Sequence, residues 1–201
     1  MDVALLHKSH VIGAYVIEQP LLNRLEGTMN TTADSMKKAV SNAAEKGNAS
    51  ELQRLITDGA DINHRSGMTG ATALHDAAAL NKPGMAHLLL THGADIAAAD
   101  DRGKTALHDA SWYDHTDVAK MLLDKGADVD AVDRNGRTAL HDAAEAGSEE
   151  AIQLLLNRGA NVHAIDDYGR TAEQLARLRG NLEMAEILRD DANRRPRRHE
   201  R

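Results

Sequence analysis

The 201-residue chain contains no cysteine and no phenylalanine, only three prolines and three tyrosines, and a single tryptophan. Without cysteine there are no disulfides, no thiolate metal sites and no cysteine nucleophiles. Aromatic residues make up 2% of the chain and hydrophobic residues 42%. A core must therefore be built from Ala, Leu, Ile, Val and Met, a composition that favours closely packed helices. No apolar run approaches the ~20 residues that a membrane span needs. The first residues, MDVALLHKSHVIGAYVIEQP, place an acid at position 2 and interrupt their apolar stretches with His and Lys. They lack the basic start and unbroken apolar centre of a secretory signal. The expectation is a soluble, cytoplasmic chain. Its formal charge is −7, but the last eight residues, RRPRRHER, hold five Arg and one Glu (+4), leaving −11 on the rest. An acidic body argues against a phosphate-binding surface on the main domain.

What the chain does have is a period. TALHDAA occurs at 72–78, TALHDAS at 105–111, TALHDAA at 138–144 and TAEQLAR at 171–177, so that Thr72, Thr105, Thr138 and Thr171 are each 33 residues apart. A second ladder runs beside it, with Asp61, Asp95, Asp128 and Asn161 ending DGAD, HGAD, KGAD and RGAN. A fixed period of this length is the signature of a solenoid. Each unit reads as two helices. Thr105 suits an N-cap, and a helix of about two turns runs from it to Trp112–Tyr113. A break follows at Asp114, and at Gly147 and Gly180 in later units. A second helix then carries VAKMLL or AIQLLL and stops at a glycine suited to a left-handed C′ position, Gly93, Gly126 or Gly159. Pro83 falls at the start of one second helix, where its missing N–H does no harm. Polar turns such as DDRGK and DRNGR lead to the next Thr.

TALHDA followed by LLxxGAD at this period resembles the ankyrin repeat, over about residues 36–192. The expected fold is an all-α, ankyrin-type solenoid of about five helix-turn-helix repeats, at 36–70, 71–104, 105–137, 138–170 and 171–192. Residues 1–35 form an N-terminal extension that can act as a cap, with HVIGAYVIE strand-like and PLLNRLEG a short helix started by Pro20. Residues 193–201 form a basic tail. The pattern departs from the family at Ala73, Ala106, Ala139 and Ala172, where the family has Pro. The first unit has Lys38 and Ser41 in the Thr and His places, and the last has Glu173 and Gln174 where Leu and His would fall. Degenerate end units are expected of a solenoid.

The chemistry-bearing side chains also recur with the repeat. The resemblance makes His75, His108 and His141 structural, bonded to neighbouring turns. As metal ligands they would have to converge, yet equivalent atoms of adjacent repeats lie about 8–10 Å apart and Zn–N bonds are near ~2.0–2.1 Å. Asp76, Asp109 and Asp142 are favourable near helix N-termini, with an acidic stripe meeting a basic partner as the second reading. No nucleophile elbow surrounds Ser111, and there is no glycine-rich phosphate loop. Trp112 and Tyr113 are different. Their places are taken by Glu45–Lys46, Ala79–Leu80, Glu145–Ala146 and Leu178–Arg179 in the other units, a variety unlike a core position. The resemblance places them on a concave groove that contacts partners, together with the turn tips. The candidate protein-binding residues are therefore Trp112, Tyr113, Leu80, Glu145 and Arg179 on the helices. On the tips they are Asp101, Arg102 and Lys104; Arg134, Asn135 and Arg137; and Asp167, Tyr168 and Arg170. The expectation is a monomer without cofactor, metal or catalysis that binds a protein partner, with neither nucleic acid nor membrane. Two alternatives remain: a nucleic-acid-associated protein using the Arg-rich tail, and an enzyme residing in the N-terminal extension.

Overall fold

The computed structural model describes residues 10–12, 15–17, 36 and 38–195. The segment expected to start a helix at Pro20 and the tail beyond Arg195 lie outside the described residues. The strand-like segment forms a small antiparallel hairpin of β1 (His10–Ile12) and β2 (Tyr15–Ile17), with Val11 opposite Val16. The remaining described elements are helices in pairs: α1 (38–46) and α2 (Ala49–Thr57); α3 (Ala73–Ala79) and α4 (Pro83–Thr91); α5 (Ala106–Trp112) and α6 (Thr116–Asp124). They continue as α7 (Ala139–Ala146) and α8 (Glu149–Asn157), then α9 (Ala172–Arg179) and α10 (Leu182–Arg194). The odd-numbered helices stack on one another as an inner row, and the even-numbered ones form an outer row behind them.

Small residues set the spacing of the inner row. Ala77, Ala110, Ala143 and Ala176 are fully buried, as are Leu89, Leu122, Leu155 and Leu188 of the outer row. Alanine between stacked helices lets them approach closely, and one leucine per unit seals the two rows together, each worth about 1.5–3 kcal/mol on burial. A thin two-layer core of this kind has no room for large rings, which accounts for the scarcity of aromatics.

The predicted boundaries of the elements hold. Asp114 (φ 58) and Gly147 and Gly180 (φ 80 and 82) separate the helices within their units, and Gly93, Gly126 and Gly159 end the outer helices at φ 87, 92 and 85. Thr72, Thr105 and Thr138 are N-caps with extended backbone. Their caps are unusual in using the histidine three residues on. His108 Nδ1 accepts from the Thr105 backbone N–H at 3.2 Å and lies 3.0 Å from its hydroxyl, while His108 Nε2 is 3.0 Å from the Arg137 carbonyl. Because Nδ1 accepts, the proton resides on Nε2, which donates to that carbonyl. His75 and His141 repeat both bonds, reaching the carbonyls of Lys104 and Arg170. Each histidine thus joins its own helix start to the base of the next turn. In the last unit Gln174 Oε1 accepts from Thr171 N at 2.9 Å. The substitution keeps the local half of the device, and there is no following unit for the other half.

The polar turns project as fingers. Asp100, Asp133 and Asp166 are buried at their bases. Asp100 Oδ1 accepts from the backbone N–H groups of Arg102 and Lys104, both at 2.8 Å, and Asp133 and Asp166 do the same two and four residues on. Fingers are joined by backbone bonds, Asp101 N to Thr69 O, Arg134 N to Arg102 O and Asp167 N to Asn135 O, at 2.8–2.9 Å. Gly103 has φ 82, and a Cβ there would meet Arg134 N at 2.7 Å. Glycine is therefore required both by backbone conformation and by the close approach of the next finger.

Candidate functional site

The ends of the inner helices are fixed by side chains of the following unit. His115 Nε2 donates to Ala79 O at 3.1 Å, Ser148 Oγ to Trp112 O at 2.9 Å, and Asn181 Nδ2 to Glu145 O at 3.1 Å. These donors start the outer helices and recur every 33 residues. Asp114 Oδ1 adds a bond to Ala151 N at 2.8 Å. The pair at Trp112–Tyr113 is therefore mounted on a rigid rim, and His115 has a structural role.

Between that rim and the fingers lies a cleft of about 320 Å³. Seven of the fourteen candidate residues line it: Arg102, Lys104, Trp112, Tyr113, Asn135, Arg137 and Glu145, joined by Asp109 and Asp133. Tyr113 is 54% exposed, and its ring stacks on His115 with centroids 5.8 Å apart. Trp112 is half-buried, not open to solvent as expected, because Lys104 Nζ sits 5.5 Å from its ring centroid. Such a contact stabilises by about 0.5–2 kcal/mol and covers one face of the ring.

Two of the expected tip cations are not free tips. The Lys104 side chain, 14% exposed, places Nζ 2.6 Å from Asp142 Oδ2, and the Asp142 side chain has no exposure at all. Arg137 lies 3.2 Å from the other Asp142 oxygen and also pairs with Glu145, which Arg179 holds from the next unit. The chain Lys104–Asp142–Arg137–Glu145–Arg179 thus alternates in sign across three units. Burial works to raise the Glu145 carboxyl, but hydrogen bonds from Arg179 and Arg137 outweigh it and hold the group below the usual carboxylate range. Asp109 has no such support, and burial pushes it up to about 6.

The remaining candidates lie around the cleft. Leu80 is 48% exposed at the end of α3. Asp101 pairs with Arg65 at 2.9 Å, and Arg134 and Asn135 are exposed on the next finger. Asp167 and Tyr168 are exposed on the last finger, where the Arg170 guanidinium lies 4.7 Å from the Tyr168 ring centroid and bonds to Asp166 at 2.6 Å. For Asp166 too, burial is outweighed by hydrogen bonds from Arg170 and its carboxyl stays low.

A second, wider cleft of about 660 Å³ lies between α1 and the first finger, lined by Lys38, Asn42, Glu45, His64, Met68 and Asp76 among others. Met68 is 93% exposed. Only the extra residue in INHRSGMTGAT and an apolar side chain inside a polar turn hinted at it. Among the described residues no group of three or more His, Asp or Glu is placed to hold a metal ion, and no helix is long and apolar enough to cross a membrane.

The family model of ankyrin repeats (3 copies) matches residues 40–133 and 126–197. Compared with curated proteins, the chain matches none.

Proposed function

Because the chain belongs to the ankyrin-repeat family, whose members are generally protein-interaction modules and typically non-catalytic, we propose that it binds a protein partner without catalysis, through the inner groove and the finger tips. The observation that carries this reading is the cleft at Trp112–Tyr113. It combines an exposed aromatic ring, a half-buried indole and polar finger residues on a rim held by side chain–backbone bonds. Aromatic residues on a rigid, partly desolvated support are favoured hot spots. Arg102, Arg134, Asn135 and Tyr168 supply polar and aromatic contacts at its edge.

The test is affinity capture with the full chain, comparing the wild type with Tyr113→Ala, Tyr168→Ala and Lys120→Ala. Lys120 is exposed on α6, away from the cleft. Partners bound through the groove should be depleted by Tyr113→Ala, by about 2 kcal/mol if the ring is a hot spot, and unaffected by Lys120→Ala. Depletion by Lys120→Ala alone would move the interface to the outer helices.

A further inference from the structure

All but one of the charged side chains lining the cleft find a partner within the protein. Arg102 Nε is 3.3 Å from Asp100, Lys104 is paired with Asp142, and Arg137 with Asp142 and Glu145. Asp133 accepts two backbone N–H bonds. Among the described residues, Asp109 receives neither a hydrogen bond nor an ion pair. The repeat explains why. Asp142 is met by Lys104, 38 positions earlier at the end of the preceding finger. For Asp109 the same step leads to Ala71, which carries no charge.

We propose that this cleft takes a lysine or arginine side chain from a basic segment of the partner protein. The cationic head occupies at Asp109 the place that Lys104 occupies at Asp142, and the aliphatic stem lies along Tyr113. The inference rests on the groove reading above and narrows it to one kind of ligand. Asp109, Trp112 and Tyr113 stand at i, i+3 and i+4 of one turn, so carboxylate and rings share a face. The cations of the cleft are already neutralised, so an entering cation meets one uncompensated carboxylate. A chain of net charge −7 also attracts a basic partner over distance. The high carboxyl titration of Asp109 is in keeping with this, because a cation beside it restores the ionised form that burial disfavours.

The probe is acetyl-arginine amide, with the uncharged citrulline analogue as its isosteric control, added to the full chain. Carboxyl ¹³C NMR follows the titration of Asp109, and Trp112 fluorescence follows occupancy. Saturation with the arginine probe should lower the Asp109 midpoint by about one pH unit or more, and the citrulline analogue should leave it in place. Asp109→Asn should weaken binding about tenfold or more. Ala71→Lys, which installs the missing cation, should lower the Asp109 midpoint unaided and exclude the probe. Circular dichroism checks that both variants fold.

An Asp109 midpoint unmoved by the arginine probe would overturn the proposal, as would equal affinity for wild type and Asp109→Asn. Unimpaired binding to Ala71→Lys whose Asp109 midpoint has fallen would do the same. A displayed peptide library panned on the wild type separates this proposal from the groove reading. Ligands lost with Tyr113→Ala but indifferent to Asp109→Asn and free of basic residues keep the groove and discard the cation site. Ligands indifferent to both variants discard both.

Discussion

At the scale of single residues, the protein is governed by buried ionisable groups whose surroundings differ from unit to unit. Burial holds His108 and His141 below the ordinary imidazole value of 6.5. The unfolded chain takes up protons that the folded rings refuse, so their contribution to stability is present in full above pH 6.5 and is lost as pH falls through that value. Asp109 works in the opposite direction. Burial raises it from 3.8 to about 6, so its carboxylate is a burden above pH 6 that is relieved as pH falls toward 3.8. Asp109→Asn should therefore raise the urea midpoint at pH 8, and the gain should shrink at pH 5. A gain that is equal at both pH values would show that Asp109 is not desolvated in the folded state. The histidine device allows a second prediction at this scale. His108→Ala leaves the Arg137 carbonyl and the Thr105 N–H without partners and should cost roughly 3 kcal/mol. His108→Gln should cost clearly less, because Gln174 already performs the local half of the task on Thr171. Denaturant titration of the two variants decides it, and equal losses would place the value of His108 in the inter-unit bond alone.

At the scale of elements, much was legible because helix starts and stops are local chemistry. The Thr ladder, Pro83 and the glycines after LLL state where the chain turns, and the helices begin and end there. What escaped the sequence were contacts made across units. Lys104 and Arg137 stand in polar turns and look exposed, but their carboxylate at Asp142 lies in a neighbouring or adjoining helix. Trp112 was expected to be open for the same reason, since the cation covering it arrives from a finger and not from its own helix. Asp100, Asp133 and Asp166 did repeat at 33 residues, and that regularity was the available signal for their buried, turn-closing role. The fingers offer a direct check. Gly126 and Gly103 both have positive φ, but a Cβ at Gly126 meets nothing within 4 Å, whereas one at Gly103 meets backbone of the next finger at 2.7 Å. Gly126→Ala should cost about 1–2 kcal/mol for the left-handed conformation alone. Gly103→Ala should cost more and should also speed amide exchange at Arg134, whose N–H bonds to Arg102 O. Equal costs without a change in exchange would mean that the finger gives way freely.

At the scale of the whole molecule, a solenoid is only as cooperative as the interfaces between its units, because each unit touches its neighbours alone. The apolar part of those interfaces is nearly uniform along the chain, with alanines between inner helices and one leucine per outer helix. The polar part is not. Lys104, Asp142, Arg137, Glu145 and Arg179 bind the third, fourth and fifth units into one ion-pair chain with its centre at a fully buried carboxylate. Removing that carboxylate leaves Lys104 and Arg137 facing each other with little access to water, a loss of about 3–5 kcal/mol for a broken buried pair. Asp142→Ala should therefore lower stability and also uncouple the two halves of the solenoid, because two units without their neighbours bury too little surface to stand alone. The single tryptophan makes this visible, since Trp112 reports on the third unit while far-ultraviolet circular dichroism reports on every helix. In the wild type the two signals should unfold together in urea, as expected of a single cooperative transition. In Asp142→Ala the dichroism should begin to fall at lower urea than the fluorescence, as α7 to α10 melt ahead of α3 to α6. Coincident transitions at a lower midpoint would show that the apolar stack alone carries the coupling, and that the ion-pair chain shapes the cleft without joining the halves.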